Sequence, residues 1–206
     1  VYSKAFLRIY DPLVLGFFSR FVWRCPNQYL VDQYRRMLGA AHLDIGPGTG
    51  YFLDAAHPTG SITLLDPNPS VLEYSAARLK DLHPSLVEAD VTRRLPVEET
   101  FDSVALNYVI HCLPSKGEHK SAAISNAASV LSIDGVLFGA TVLGDPRLHT
   151  WGSRRALEAN NRRGIFDNLT DDAQMIESML ARSFEEHSIE TIGAVAVFSA
   201  RRPRVI

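Results

Sequence analysis

The 206-residue chain has only two cysteines, Cys25 and Cys112. Two are too few for a disulfide framework, so a reducing compartment, the cytoplasm, is the default expectation. There is no excess charge of either sign: 21 Lys and Arg against 23 Asp and Glu leave a net charge of −2. That balance speaks against a nucleic-acid binder, which usually carries a basic face. No apolar run approaches the roughly 18–20 residues that a membrane span needs, and no signal peptide is evident. No spacing of His, Cys, Asp and Glu suggests a metal site. Internal repeats and low-complexity tracts are missing too. What remains, 46% hydrophobic and 21% charged, is the make-up of one globular domain with a proper core.

The densest pattern is His42-Leu43-Asp44-Ile45-Gly46-Pro47-Gly48-Thr49-Gly50-Tyr51-Phe52. It reads as a short buried strand, a glycine turn and the start of a helix. Gly46 permits a tight exit from the strand, Gly48 a close approach of backbone to ligand, and Gly50 close packing of the helix on the sheet. Asp44, at the strand's end, faces the crevice where open α/β sheets bind ligands. The next strand-like run, Ser61 to Asp66, ends in an acid about 20 residues beyond the turn, the separation expected of a carboxylate that holds ribose hydroxyls.

With these residues on the page, the chain resembles the class I S-adenosylmethionine-dependent methyltransferases. Their motif is an acid followed by G-x-G-x-G, which Asp44 to Gly50 fits; a dinucleotide site wants glycine or alanine where Tyr51 stands. Asp66, Asp90 and Asn107 follow in the family's order. The resemblance covers residues 40 to 143 well, the C-terminal end loosely and residues 1 to 38 poorly. It implies an α/β fold: a doubly wound, mostly parallel seven-stranded sheet of order 3-2-1-4-5-7-6, the last strand antiparallel, with a helical cap (1–38) on a Rossmann-like core (40–206), all one domain. It also implies S-adenosyl-L-methionine as cofactor and S-adenosyl-L-homocysteine as product. The glycine turn would carry the methionine moiety, Asp44 would organise that turn and the ammonium, and backbone at Asn107 would meet the ammonium. Asp66 would hold the ribose, Asp90 the adenine amino group and Val91 the ring. For Asp90 a plain helix-capping role competes.

Further along, Asn68 is placed as an N-cap with Pro69 at N1 of a helix to about Leu82. Strands are expected at Ser85 to Ala89, Phe101 to Asn107 and Gly135 to Val142, with a helix from Gly117 through Leu131. Thr170 is expected to cap a helix carrying Asp171 and Asp172 in its first turn. Two strands joined at Gly193 must form an antiparallel hairpin.

The segment before Gly39 is rich in aromatics. Apolar residues at Phe6, Ile9, Leu13 and Phe17 recur at helical spacing, and Asp11-Pro12 has the form of a helix start. Three readings stay open: a structural cover for the sheet, a lid shaping the substrate pocket, or a membrane-surface helix. Tyr10 and Trp23 here, with His149, Trp151 and Phe166 from the irregular Leu143 to Leu169 region, are the candidate substrate contacts. His111, just past the fourth strand, is the candidate general base, against a lining or capping role; Tyr108 is the second catalytic candidate, as an electron-rich face for a sulfonium. Carboxylates that a metal-dependent methyltransferase needs past the fourth strand are absent, so metal independence is expected. That stretch also lacks the paired prolines of nucleic-acid base methyltransferases. A small apolar or aromatic metabolite is favoured as acceptor, monomer and homodimer being equally open. A cofactor-binding protein without transfer, a cofactor-assisted cyclase in natural-product assembly and a nucleic-acid methyltransferase remain as alternatives.

Overall fold

A strand sends alternate side chains to opposite faces of its sheet, and here both faces are buried. In β4 (Phe101–Asn107) Val104 and Leu106 join one apolar cluster and Ala105 the other. In β5 (Leu131–Val142) Leu137 joins the first cluster, Val136 and Phe138 the second. Near-continuous apolar runs such as these are what a parallel sheet covered on both sides requires.

The structure, a computed structural model, describes residues 18–116 and 118–204. Seven strands form one sheet of order β3-β2-β1-β4-β5-β7-β6. β1 (Ala41–Ile45) lies parallel to both β2 (Ser61–Asp66) and β4. β3 (Ser85–Glu88) is parallel to β2, and β5 to β4. β7 (Val195–Pro203) runs antiparallel between β5 and β6 (Phe184–Ile192). The strand order reverses between β1 and β4, and a ligand crevice is expected at that switch point. The expected sheet order and the antiparallel last strand are therefore observed.

One face of the sheet is covered by α1 (Asn27–Met37), α2 (Tyr51–Ala56), α3 (Pro69–Arg78) and α5 (Trp151–Arg162), through residues such as Leu30, Tyr34, Leu53, Leu72 and Leu157. The other is covered by α4 (His119–Ser129) and α6 (Ala173–Ser183), through Ile124, Ala127, Ile176 and Leu180. Among the described residues no helix is long and apolar enough to cross a membrane.

Several boundaries differ from the sequence expectation, each for a local reason. Asp172, not Thr170, caps α6, its side chain accepting from the Met175 amide. Asp171 instead turns inward to Lys120. β5 begins at Leu131 rather than Gly135 because an irregularity in its pairing with β4 absorbs the residues between Leu131 and Val136. α3 stops at Arg78, and a single 3-10 turn (Lys80–Leu82) completes the run. The expected helix around Phe6 to Phe17, its Asp11 start, and Gly117 lie outside the described residues. The described part of the N-terminal segment is sewn into the fold. Trp23 and Cys25 are buried, Gln33 donates to the Phe198 carbonyl, and the Ala194 amide donates to the Trp23 carbonyl.

Candidate cofactor and methyl-transfer site

The turn after β1 is built on left-handed backbone. Gly46 has φ 68° and Gly48 φ 58°, a region that a side chain disfavours. A Cβ on Gly46 would meet the Val109 Cγ2 methyl at 2.5 Å, whereas one on Gly48 would meet nothing within 4 Å. Gly46 is thus demanded by the protein's own packing, while Gly48 leaves open space beside the backbone. Gly50 differs from its expected role: its missing Cβ makes room for Leu79 and Ser75 of the following helical region, not for the sheet.

Beside this turn lies a cavity of about 280 Å³. Gly46, Gly48, Asp66, Asn68, Asp90, Val91 and Asn107 all line it, as does Tyr108. Asp66 Oδ1 accepts from the Asn68 amide at 2.8 Å, and Asn68 Oδ1 accepts from the Ser70 amide at 3.0 Å, capping α3. Burial lifts the Asp66 carboxyl to about 6, with the Asn68 amide pulling it back. Asp90 Oδ1 accepts from the Thr92 amide and hydroxyl, so it shapes a turn and lines the cavity at once; the two roles weighed for it are compatible.

Asp44 and Gly50 do not reach the cavity wall. Asp44 lies behind it, 2% exposed, accepting from the Tyr34 hydroxyl at 2.9 Å. His42 Nε2 stands 4.0 Å away, but burial holds that imidazole near 3, so it is neutral. With no paired cation among the described residues, burial lifts the Asp44 carboxyl to about 7. Tyr34, from α1, does line the cavity. Sequence reasoning missed it. The only available signal was its place on the apolar face of a helix, which by itself says core.

His111 is not on the cavity wall. It is 3% exposed, and its Nδ1 accepts from the Val142 amide at 3.3 Å, beside the Thr141 hydroxyl at 3.3 Å. An amide can only donate, so the neutral ring carries its proton on Nε2. Burial, then the charge of Lys120, takes its pKa down to about 3. Neither fact favours the expected role as general base. Tyr108 has φ 58°, lines the cavity with its body, and buries its hydroxyl toward Ser19 and Cys25. Burial raises that phenol far above its ordinary value, so it offers a ring face and not a base.

The expected substrate contacts scatter. Tyr10 lies outside the described residues. Trp23 is core, its ring 6.0 Å from those of both His149 and Phe166. His149 is tied to the Leu143 carbonyl at 2.8 Å. Trp151 is 74% exposed, with the Arg155 guanidinium 4.4 Å over its ring. Only Phe166 borders an opening, a second depression of about 670 Å³ that shares Cys112 with the first cavity. Its wall is pinned by a network that sequence reasoning missed. Lys120 Nζ reaches Asp171 Oδ2 at 2.5 Å and the Asp167 carbonyl at 2.7 Å, while Asp167 accepts from the Ser115 amide and hydroxyl. Among the described residues no group of three or more His, Cys, Asp or Glu is placed to hold a metal.

A family profile for a methyltransferase domain matches residues 43–137. Demethylluteothin O-methyltransferase of Streptomyces thioluteus is 37% identical over 203 residues, 97% of this chain and 88% of that protein. This chain belongs to the class I S-adenosylmethionine-dependent methyltransferases. The methyltransferase is also 34% identical over 210 residues to the physcion biosynthesis cluster O-methyltransferase of Aspergillus chevalieri, covering 100% of this chain and 95% of that one. The N-methyltransferase NodS of Bradyrhizobium japonicum WM9, solved with S-adenosyl-L-homocysteine, superposes with a TM-score of 0.64 at 19% identity, over 86% and 87% of the two chains; that likeness shows the fold. The methyltransferase's cavity fits the cofactor. It offers open space at Gly48, a carboxylate beside an N-cap at Asp66 and Asn68, and a buried Asn107 amide on its wall.

Proposed function

We propose that this methyltransferase moves the methyl group of S-adenosylmethionine to an oxygen of a small, largely apolar acceptor. One observation carries the reading: a single cavity lined both by polar and acidic groups and by apolar and aromatic ones. Asp66, Asn68 and Asp90 line it and suit a nucleoside. Phe52, Tyr108, Val109, Cys112 and Leu113 line it too and suit an apolar acceptor. When bound, the cofactor supplies a methyl carried on a positively charged sulfur. The protein's task is then to hold the acceptor in line and to keep water out. Positioning of that kind is worth ~7–11 kcal/mol. The Phe52 and Tyr108 rings, 6.3 Å apart between centroids, offer electron-rich faces that add about 0.5–2 kcal/mol to the binding of a cation.

Among the described residues no histidine or lysine lines this cavity. An acceptor that needs little help to ionise, such as a phenol, an enol or a carboxylic acid, suits such a wall. Relatives named as O-methyltransferases support oxygen as the acceptor atom. We place the body of the acceptor across Cys112 into the second depression, against Phe166 and Leu169. We read the chain as one domain in which residues 40–206 are the core, and its two free cysteines suit a reducing cytoplasm.

The test is incubation with S-adenosylmethionine and a panel of phenolic, enolic, carboxylic and amine acceptors. Release of S-adenosyl-L-homocysteine and gain of one methylene unit on an acidic hydroxyl is the expected result. Gain confined to amines, or turnover with no gain in mass, would defeat the reading.

A further inference from the structure

Trp151 lines neither opening, yet it is 74% exposed at the start of α5. At about 100° per residue, Trp151, Arg154, Arg155, Glu158 and Arg162 fall on one stripe of that helix. Ser153 and Leu157, on the opposite side, are the residues it buries. Packing on the sheet thus uses the inner face and leaves the stripe to solvent. A Cβ on Gly152 or on Gly164, at the two ends of the helix, would meet nothing within 4 Å.

The stripe is basic in a chain that is not. Residues 151–163 hold four arginines and one acid, a charge of +3 where the whole chain has −2. Glu158 is shared between Arg154 at 3.7 Å and Arg162 at 3.9 Å, all three well exposed. Ion pairs so long and so wet are worth little, and one carboxylate cannot neutralise two guanidiniums. The Arg155 guanidinium lies 4.4 Å over the Trp151 ring, so cation and indole are presented together. Arg24 donates to the Leu148 carbonyl, just before the helix, and adds another positive charge there.

A partner for this face must be anionic, must extend along a helix of about 18 Å, and must seat an indole. The surface of an anionic bilayer does all three: its phosphates meet the arginines, and tryptophan favours the boundary between headgroups and acyl chains. An acidic protein would meet the charges but gives no reason for the exposed ring. The far end of the stripe adjoins the second depression, since Glu158 and Arg162 line it together with Leu169, itself 54% exposed.

We propose that the α5 face docks on an anionic phospholipid surface, with Trp151 at the level of the headgroups and the second depression beside the lipid. The docking stands on the stripe alone. Its link to catalysis rests on the function proposed above: an apolar acceptor dissolved in the bilayer then reaches the depression without crossing bulk water.

The probes are vesicles of phosphatidylcholine with and without phosphatidylglycerol. The protein should sediment with the anionic vesicles, not with the neutral ones, and should be released when salt is raised from about 0.1 to 0.5 M. Only two tryptophans are present, and Trp23 is buried, so a blue shift of emission on binding should vanish in Trp151→Phe. A charge near such a surface is worth about fivefold in partitioning. Arg155→Glu, a change of two charges, should therefore weaken binding about 25-fold. Lys80→Glu makes the same change at an exposed site in the turn before β3, at the other edge of the sheet, and should stay within about threefold of wild type. Thermal melts check that the variants are folded. Equal binding to neutral vesicles, no binding to either kind, equal losses in Arg155→Glu and Lys80→Glu, an emission that ignores the vesicles, or capture of poly-aspartate in their place would overturn the proposal. Binding of S-adenosyl-L-homocysteine in solution is indifferent to these outcomes, so the docking and the cofactor site can fail separately.

Discussion

Replacing Lys120 by methionine removes the cation from a pair with almost no access to water. Lys120 is 5% exposed and Asp171 1%. The ammonium is shared between Asp171 Oδ2 and the Asp167 carbonyl, so the change strips one carboxylate and one carbonyl of their partner together. Methionine nearly conserves the volume, which keeps packing losses small. The dominant cost is a buried, unpaired carboxylate, and breaking one side of such a pair typically costs about 3–5 kcal/mol. The pH dependence has a definite sign. Burial already holds the Asp171 carboxyl above its ordinary value, with Lys120 pulling it back. Without Lys120 it rises further, and the folded variant keeps a proton that the unfolded chain gives up. The deficit should therefore be small near the ordinary carboxylate value of about 4 and grow as pH rises. Urea unfolding followed at several pH values, read as midpoint and slope, measures it. Lys120→Met with Asp171→Leu should recover more than half of the loss. A single variant within about 1 kcal/mol of wild type near neutral pH, or a deficit that does not change with pH, would refute the reasoning.

Other consequences follow from the same geometry. Gly46→Ala puts a methyl into the Val109 side chain on left-handed backbone, so a thermal melt should show a lower Tm and a titration at least about tenfold weaker S-adenosyl-L-homocysteine binding. Binding a cation near Asp44 favours its ionised form, so cofactor affinity should weaken as pH falls through about 7, where burial sets that carboxyl. Asp44→Asn should flatten this dependence. Because the His111 ring is neutral and engaged with Val142, the pH–rate profile should show no inflection that disappears in His111→Gln; the substitution should instead lower stability by roughly 1–3 kcal/mol on denaturant titration.

Much of the fold was legible because local and global signals agree. Apolar runs of strand length, Asn68-Pro69 and the glycine turn each state their structure within a few residues, and β2 and β4 occupy the expected spans. Much of the cavity lining was equally legible, since Gly46, Asp66, Asp90 and Asn107 stand at or just past strand ends in a fixed order. The rest depends on contacts far apart in the chain. Tyr34 reaches Asp44 only because α1 packs beside β1. Lys120 meets Asp171 across 51 residues, which no spacing rule anticipates. Aromatic residues read as substrate contacts from the sequence alone, yet Trp23 is spent on the core and Trp151 stacks with Arg155 at the surface. Side-chain type announces a ring, while only packing decides which way it faces. His111 shows the same limit: its position after β4 suggests a base, and burial makes it a neutral ring off the cavity wall.

The most direct test of the account is calorimetric titration of S-adenosyl-L-homocysteine into the wild-type protein and into Asp66→Ala. The account predicts one site per chain in the wild type, with affinity at least about 30-fold weaker in the variant. Absence of binding to the wild type, unchanged affinity in Asp66→Ala, or tighter binding of a dinucleotide than of S-adenosyl-L-homocysteine would contradict it.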